Sequence, residues 1–182
     1  MNLLRPLLLV LLLVGGFTSV NGEPLSSVVN FHTIDEDLMT AGQLLPEHIE
    51  AVASARVDLV INLATADKER NGEEGFLLIE QGIDYIHIPV IWDSPTQADL
   101  DLFFAVMDAR QDRKTLVHCF ANYRASAFTY LYRVLRLGVD EAEARKDLEA
   151  VWDTEAFETY PKWRTFVDQQ LHQLPISNAA AS

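Results

Sequence analysis

The chain is poor in cysteine, in metal-ligand patterns and in long apolar segments. Its 182 residues include one cysteine, Cys119, so the fold cannot contain an internal disulfide and must be held by its core. The apolar run at 7–14 is shorter than the roughly 20 residues that a membrane-spanning helix needs. The 5 histidines lack metal-ligand spacing and no cofactor motif occurs, so we expect neither a metal nor a cofactor.

Basic residues are also scarce. The chain has 14 lysines and arginines against 27 aspartates and glutamates, which gives a formal net charge of −13. Such acidity argues against nucleic acid or an anionic membrane surface as a partner, because both repel a negative protein. Hydrophobic residues make up 49% of the chain and charged residues 23%, so we expect one globular domain with a full-sized core. The oligomeric state does not follow from these patterns.

Residues 1–22 are typical of a signal peptide. Arg5 is their only charge, an apolar run follows it, and small and polar residues lead to Gly22. We therefore expect export to the periplasm or the medium, a domain at 23–175 without stable membrane insertion, and a disordered tail at 176–182. The alternative is an uncleaved membrane anchor, because the expected cleavage site lacks the usual alanines.

Strand and helix patterns alternate along this domain. Short apolar, β-branched runs bounded by turn residues predict strands at 30–34, 38–41, 57–63, 85–90 and 115–118. Amphipathic spacing predicts helices at 46–55, 73–81, 98–110, 124–137, 140–152 and 160–174. We expect residues 23–27 to be an unstructured lead. The alternation implies a single-domain α/β fold with a mainly parallel central sheet flanked by helices on both sides.

The most informative segment is 116–126, which places Cys119 between an apolar run and a helical pattern. A cysteine between a buried strand and a helix sits where backbone N–H groups converge and the helix dipole is positive. Both effects favour the nucleophilic thiolate. Arg124, five positions on, adds a fork-shaped double donor for phosphate or sulfate. The pattern predicts an accessible thiolate that binds an oxyanion, with a buried, inert cysteine as the alternative.

This segment resembles the phosphate-binding loop of the cysteine-dependent protein tyrosine and dual-specificity phosphatase superfamily. The superfamily pattern is His-Cys, five residues, then Arg and a Ser or Thr. Here His118 and Cys119 are followed by four residues before Arg124, and Ser126 lies two positions past the arginine. The shorter loop is similar to that of a bacterial branch of the superfamily. The resemblance extends over nearly the whole domain and implies a dual-specificity-phosphatase-like fold.

The resemblance implies a role for each residue of this loop. Cys119 would attack phosphorus and carry the phosphate, while Arg124 and the loop N–H groups would stabilise the equatorial oxygens. His118 would organise the loop, and Ser126 would donate a hydrogen bond to the departing thiolate. The residues expected to bind substrate surround the cysteine and arginine: His118, Phe120, Ala121, Asn122, Tyr123, Ala125 and Ser126.

In the superfamily an aspartate on a loop after an earlier strand gives a proton to the leaving alcohol. Asp93, within the segment 92–95, stands in the corresponding place and is the candidate general acid. A simple turn residue is the structural alternative for Asp93. Asp99 and Asp101 are rivals for the role, although compensation of a helix dipole explains both of them.

Together these residues predict an exported phosphoric monoester hydrolase of the protein-phosphatase type with an open, dual-specificity site. The expected substrates are phosphoproteins or phosphorylated small molecules such as sugars, inositols or lipids. One alternative is a rhodanese-type sulfurtransferase, whose cysteine loop commonly has this shorter length and which needs no general acid. The other is a catalytically weak phosphate- or phosphopeptide-binding module, because the shorter loop loses one N–H donor.

Overall fold

The structure, a computed structural model, describes residues 22–172. Within them one five-stranded sheet has the order β1-β2-β5-β3-β4. The strands are β1 (His32–Thr33), β2 (Leu38–Ala41), β3 (Leu59–Asn62), β4 (Asp84–His87) and β5 (Thr115–His118). The β1–β2 pair is antiparallel and the other pairs are parallel. Strand β5 therefore lies in the middle of the sheet, between β2 and β3.

Helices connect and cover these strands. The α-helices of the described residues are α1 (Ile49–Ser54), α2 (Glu74–Glu80), α3 (Gln97–Ala109), α4 (Tyr123–Leu135), α5 (Glu141–Glu149), α6 (Thr154–Thr159) and α7 (Pro161–His172). Short 3₁₀ helices lie at Leu25–Ser27 and Pro46–His48. The predicted helix at 46–55 is thus divided into a 3₁₀ turn and α1.

Both faces of the sheet are buried. Successive residues of a strand point to opposite sides, so neighbouring residues enter different cores. Leu116 of β5 and Val60 of β3 belong to a core that they share with α1 and α2. Val117 and Ile61, the next residue of each strand, belong to a second core that includes residues of α3, α4, α5 and α7. The predicted fold class, a mainly parallel sheet with helices on both sides, is confirmed.

Two local expectations are wrong. Residues 23–27 contain a 3₁₀ helix instead of an unstructured lead, and Val28 directly after it is buried in the core of α1 and α2. The second error concerns α6, which the sequence patterns do not predict. Its N-cap residue, Asp153, accepts a hydrogen bond from the backbone N–H of Ala156 at 2.7 Å. A helix of six residues is too short to show a clear amphipathic period.

The predicted terminal segments fall largely outside this description. Residues 1–21 of the expected signal peptide and the whole expected tail at 176–182 are not among the described residues. No helix within 22–172 has the length and apolar character needed to cross a bilayer.

Phe128 of α4 offers a test of the larger core, since it is fully buried against the rings of Phe103, Trp163 and Phe166. We expect Phe128→Ala to lower the free energy of unfolding by about 3–5 kcal/mol, because the change removes apolar burial and leaves a cavity. Phe76→Ala is the matched control: Phe76 is 65% exposed, and the change should cost less than about 0.5 kcal/mol. Equilibrium denaturant unfolding measures both, and equal losses would contradict the assigned core.

Candidate active site

The cysteine lies at the carboxyl end of the central strand. Strand β5 ends at His118, Cys119 follows it, and α4 begins at Tyr123. In parallel α/β sheets this edge is where ligands bind, because helix N-termini and loops converge there. The predicted position of the loop, between a buried strand and a long helix, is therefore observed.

The thiol itself is more enclosed than the sequence pattern predicts. Cys119 is 0% exposed and belongs to the core that contains α3 and α4. None of the five main surface clefts of the described residues is lined by Cys119 or Arg124. The expectation of an openly accessible thiolate is wrong for this conformation. The reason is that strand β5 is covered on both faces, so its last residues enter the helix below the surface.

The backbone of this loop has unused donors. Phe120, Ala121, Tyr123, Arg124 and Ala125 have backbone N–H groups that form no hydrogen bond with another described residue. The first intrahelical bond of α4 runs from the Ser126 N–H to the Asn122 carbonyl at 2.9 Å. Free N–H groups at the start of a 13-residue helix make an anion-binding site, because the helix dipole adds to their positive charge.

Arg124 is buried, and it has no counter-charge among the described residues. Its guanidinium carbon lies 5.1 Å from the centre of the Trp92 ring and 5.8 Å from that of Phe120. Its Nε atom makes no hydrogen bond, and no carboxylate within 22–172 forms an ion pair with it. Burying an unpaired cation is costly, and two aromatic faces offset only part of that cost. The arrangement suits an oxyanion as the missing partner.

Asn122 holds the loop in its turn. Its φ of 67° lies in the left-handed region that favours glycine, and its side chain is fully buried. The side-chain Nδ2 donates to the carbonyl of Asn30 at 2.6 Å and to Thr40 Oγ1 at 2.9 Å. Asn30 in turn donates through Nδ2 to the carbonyl of Ala121 at 3.0 Å. These bonds connect the cysteine loop to the β1–β2 hairpin.

The remaining loop residues have mostly structural surroundings. The Ser126 hydroxyl donates to the Asn122 carbonyl at 2.8 Å, so its proton is committed to the helix rather than to the thiol. Ala125 is fully buried. The carbonyl of Tyr123 accepts from Trp152 Nε1 at 2.9 Å, and the two rings lie 4.7 Å apart between centres. Of these three residues, Tyr123 alone is partly exposed, at the edge of an aromatic cluster.

Asp93 follows Trp92, whose ring lies beside Arg124, but the Asp93 side chain is at the surface near Lys162. The carboxylate is 80% exposed, and its Oδ1 lies 3.5 Å from Lys162 Nζ. The preceding Trp92 is anchored near Arg124, and its carbonyl accepts from Trp163 Nε1 at 2.9 Å. The backbone of Asp93 is therefore fixed beside the site, while its carboxylate is not brought together with Cys119.

The two rival aspartates serve the start of α3. Asp99 Oδ2 accepts from the backbone N–H of Thr96 at 3.0 Å, and the Thr96 side chain accepts from the Asp99 N–H, which completes a capping box. Asp101 accepts from Gln97 Nε2 at 2.9 Å. These local hydrogen bonds explain why both carboxylates lie at the start of α3.

The sequence patterns missed a buried polar cluster below the loop. His118 Nε2 lies 2.6 Å from Glu74 Oε1, and the two side chains are 0% and 3% exposed. Glu74 also accepts from Gln43 Nε2 at 2.6 Å and from Asn62 Nδ2 at 3.3 Å. Burial, together with the charge of Glu74, raises the pKa of the Tyr85 hydroxyl well above its ordinary value. In sequence Glu74 is one acid of the first turn of a short helix, and nothing there marks it as buried.

A cleft of about 820 Å³ adjoins the cysteine loop. Phe120 and Gln43 line it on the side of the loop, and Arg70 and Lys68 lie on its rim. The Arg70 guanidinium stacks on the Phe120 ring at 3.7 Å. Within residues 22–172 no group of three or more His, Cys, Asp and Glu side chains is arranged to hold a metal ion.

The left-handed residue of the loop can be tested with a pair of substitutions. Asn122→Gly removes the bonds to the hairpin but relieves the backbone, whereas Asn122→Ala removes the same bonds and retains a Cβ at a positive φ. We expect the alanine variant to be less stable than the glycine variant by about 1 kcal/mol in denaturant unfolding. Gln111→Gly, at an exposed turn with a φ of 53°, is a control without buried bonds. Equal stability of the two Asn122 variants would refute the backbone argument.

Comparisons with known proteins identify solved structures that share this fold. No protein-family model matches the chain, and no curated protein matches it significantly. A DUF442 protein of Shewanella putrefaciens CN-32, described as a candidate phosphatase, is 34% identical, with a TM-score of 0.70 over 80% of this chain and 91% of its own. TpbA of P. aeruginosa is 17% identical, with a TM-score of 0.60 over 78% and 88% of the two chains.

A candidate phosphatase of Neisseria meningitidis Z2491 is 19% identical, with a TM-score of 0.60 over 78% of this chain and 99% of its own. At such identities this protein and TpbA show the fold alone, which is that of the tyrosine and dual-specificity phosphatases. The Shewanella protein shows more, because its identity is higher and extends over nearly its whole length. This chain belongs to the DUF442 family.

Proposed function

We propose that this protein is a cysteine-dependent phosphatase that hydrolyses phosphate monoesters through a phosphocysteine intermediate. The observation that carries the proposal is the buried, unpaired guanidinium of Arg124 beside free backbone N–H groups and the only cysteine. A phosphate dianion satisfies all of these groups at once. The fold supports the proposal too, since a cysteine-to-serine variant of TpbA is known in complex with phosphotyrosine.

In the first step the Cys119 thiolate attacks phosphorus in line with the leaving oxygen. An S–P bond forms as the P–O bond breaks, and the leaving alcohol takes a proton from the Asp93 carboxyl. The Arg124 fork and the loop N–H groups stabilise the equatorial oxygens, where the transition-state charge lies. The N–H groups are fixed before substrate arrives, so they cost no reorganisation during the reaction.

In the second step water completes the cycle. The Asp93 carboxylate takes a proton from the water, whose oxygen attacks phosphorus while the S–P bond breaks. The thiolate of Cys119 leaves with the electron pair, and inorganic phosphate is released. No residue other than the loop N–H groups and Arg124 is assigned to stabilise the thiolate directly, because the Ser126 hydroxyl donates to Asn122.

Two local movements are part of this proposal. The Cys119 side chain is enclosed, so the site must open before a phosphate reaches the sulfur, and we assign this opening to Phe120, which lines the adjoining cleft. The Asp93 carboxylate must also leave Lys162 and approach the loop, and little opposes its departure, since an ion pair at 3.5 Å on the surface is weak. Anchoring of the adjacent Trp92 keeps the backbone in place during that movement.

The substrates that we propose are phosphorylated small molecules or phosphoproteins, acted on after export. The cleft beside Phe120 is wide enough for the organic part of such an ester. Its charged lining is mixed, with Lys68 and Arg70 near several glutamates. Together with the net charge of −13, this lining disfavours highly charged polyanions.

Replacing the nucleophile and the clamp tests the function. We expect the full chain, kept reduced, to release phosphate from an aryl phosphate. Cys119→Ser should abolish release, because a neutral hydroxyl is a far weaker nucleophile than a thiolate, and Arg124→Lys should lower kcat/KM at least about tenfold, because it loses the fork. Arg136→Lys, at an exposed surface ion pair, is the matched control and should be unchanged.

The alternatives have their own readouts in the same experiment. Release of thiocyanate from thiosulfate and cyanide, without phosphate release, would establish the sulfurtransferase. Phosphate binding by both wild type and Cys119→Ser, with no turnover of any aryl or alkyl ester across pH, would establish a binding module and overturn the phosphatase.

The general acid is tested by varying the leaving group. Asp93→Asn should slow hydrolysis of an alkyl phosphate by about 10²–10⁴-fold and hydrolysis of a nitrophenyl phosphate much less, because nitrophenolate departs without a proton. Asp101→Asn removes an exposed carboxylate from the adjacent helix and should leave both rates unchanged. Initial rates of phosphate release measure the effect. An equal loss on both esters would remove Asp93 from this role.

A further inference from the structure

Glu74 is a carboxylate buried directly below the cysteine loop. Its side chain is 3% exposed, and its Oε1 lies 2.6 Å from Nε2 of His118, which is fully buried. His118 is the last residue of β5 and directly precedes Cys119 in the chain. The carboxylate therefore forms an ion-pair contact with the residue that precedes the cysteine, whose imidazole has no hydrogen-bond partner among the described residues.

The surroundings of Glu74 are those of an ionised carboxylate. Gln43 Nε2 donates to Oε2 at 2.6 Å, and Asn62 Nδ2 donates to Oε1 at 3.3 Å. The Tyr85 hydroxyl accepts from Asn62 Nδ2 at 2.9 Å, and its pKa is raised by burial and by the charge of Glu74. Two side-chain donors therefore converge on one anion. Fixed donors of this kind favour the charged form of a buried carboxyl group.

A charge in this place needs more than packing to explain it. Burying a carboxylate costs several kcal/mol, and an uncharged side chain of similar shape is often as stable in such a site. Glutamine would keep much of the hydrogen bonding to Gln43 and Asn62. What glutamine cannot do is provide a negative charge for the imidazole of His118.

We propose, on the basis of the proposed function, that Glu74 is a positioning residue that keeps His118 protonated and thereby favours the thiolate of Cys119. Glu74 contacts the imidazole at Nε2, the ring nitrogen farther from the backbone. The pair is neutral as a whole, but its positive member is the one that the backbone joins directly to Cys119. It adds to the effect of Arg124 and of the helix N-terminus.

Other charged groups approach this pair from several elements. Tyr85 of β4 is neutral at ordinary pH, like any tyrosine, and burial and the charge of Glu74 raise its pKa further. Arg124 lies in the first turn of α4. In the cleft that reaches Glu74, the charged residues are exposed or partly exposed: Glu23, Glu47, Lys68, Glu69, Arg70 and Glu73. Solvent screens the charges of those residues, whereas no solvent separates the buried side chains of Glu74 and His118.

The sign of a pH shift tests the proposal. If His118 is protonated because of Glu74, then Glu74→Gln leaves a neutral imidazole, and the thiolate forms at higher pH. If His118 is neutral in the native protein, the same change removes a negative charge from the site, and the thiolate forms at lower pH. The two outcomes have opposite directions, so the measurement decides between them.

The experiment uses the single cysteine as its own probe. Ultraviolet absorbance of the thiolate is followed against pH in the full chain, which requires no access to the buried sulfur. We expect the transition to move up by about one pH unit in Glu74→Gln, an effect of about tenfold in the ionisation equilibrium. Glu80→Gln removes the same charge from an exposed site on the same helix and should not move it. No shift, or a downward shift, in Glu74→Gln would overturn the proposal.

A second pair of variants separates positioning from stability. In a His118→Asn background, Glu74→Gln should shift the thiolate transition by less than a third of its effect in the wild type, since it acts through the imidazole. An undiminished shift in that background would refute the mechanism. Should Glu74→Gln not fold, as judged by thermal unfolding, Glu74→Asp replaces it. Aspartate retains the charge at a greater distance, so a smaller upward shift is expected, and none would refute the proposal.

Failure of this proposal is distinguishable from failure of the proposed function. The absorbance titration requires no turnover, so it stands even if no ester is hydrolysed. If phosphate release is observed, the acid limb of kcat/KM should move in Glu74→Gln by the same amount as the thiolate transition. At pH above both transitions kcat/KM should return to within about twofold of wild type, because a positioning residue does not touch substrate.

Discussion

The site depends on hydrogen-bond donors in the loop between β5 and α4 that have no acceptor within residues 22–172. Five backbone N–H groups and the Arg124 guanidinium lie at one helix N-terminus with no acceptor among the described residues. Each unsatisfied buried donor costs about 1–3 kcal/mol, and a buried cation costs more. The aromatic rings of Trp92 and Phe120 offset part of that cost. An oxyanion is the partner that satisfies these donors together.

The loop maintains that geometry because it is connected to elements on both sides. Asn122 connects it to the β1–β2 hairpin through Thr40 and Asn30. Beneath it, His118 rests on Glu74, which is bonded to Gln43 and Asn62 at the exits of β2 and β3. Thr40 of the hairpin, Asn62 of β3 and Glu74 of α2 therefore belong to polar contacts that position one short segment. The fold and the site depend on the same polar contacts.

The parts of this arrangement that could be predicted are those with a repeating or local signal. The bounds of β5 follow from a buried apolar run, and the cap of α3 from Thr96 and its neighbours. The parts that could not be predicted depend on tertiary burial. Glu74 is in sequence an ordinary first-turn acid, and the enclosure of Cys119 depends on helices far along the chain. The surface contact of Asp93 with Lys162 joins residues 69 positions apart, and no local pattern announces it.

The rings of Trp92 and Phe120 flank the Arg124 guanidinium, and they are held very unequally. This difference decides which side of the loop opens at lower cost. Trp92 lies within 6.2 Å of four other aromatic rings and is bonded through its carbonyl to Trp163, so moving it would disrupt much of the core. Phe120 is partly exposed and is covered by Arg70, an exposed side chain stacked at 3.7 Å. A single exposed stacking contact is worth about 1 kcal/mol. Opening on the Phe120 side is therefore far less costly, and Phe120 is the loop residue that lines the cleft of about 820 Å³. The same inequality makes Trp92 the fixed side of the cysteine loop and Phe120 the movable side.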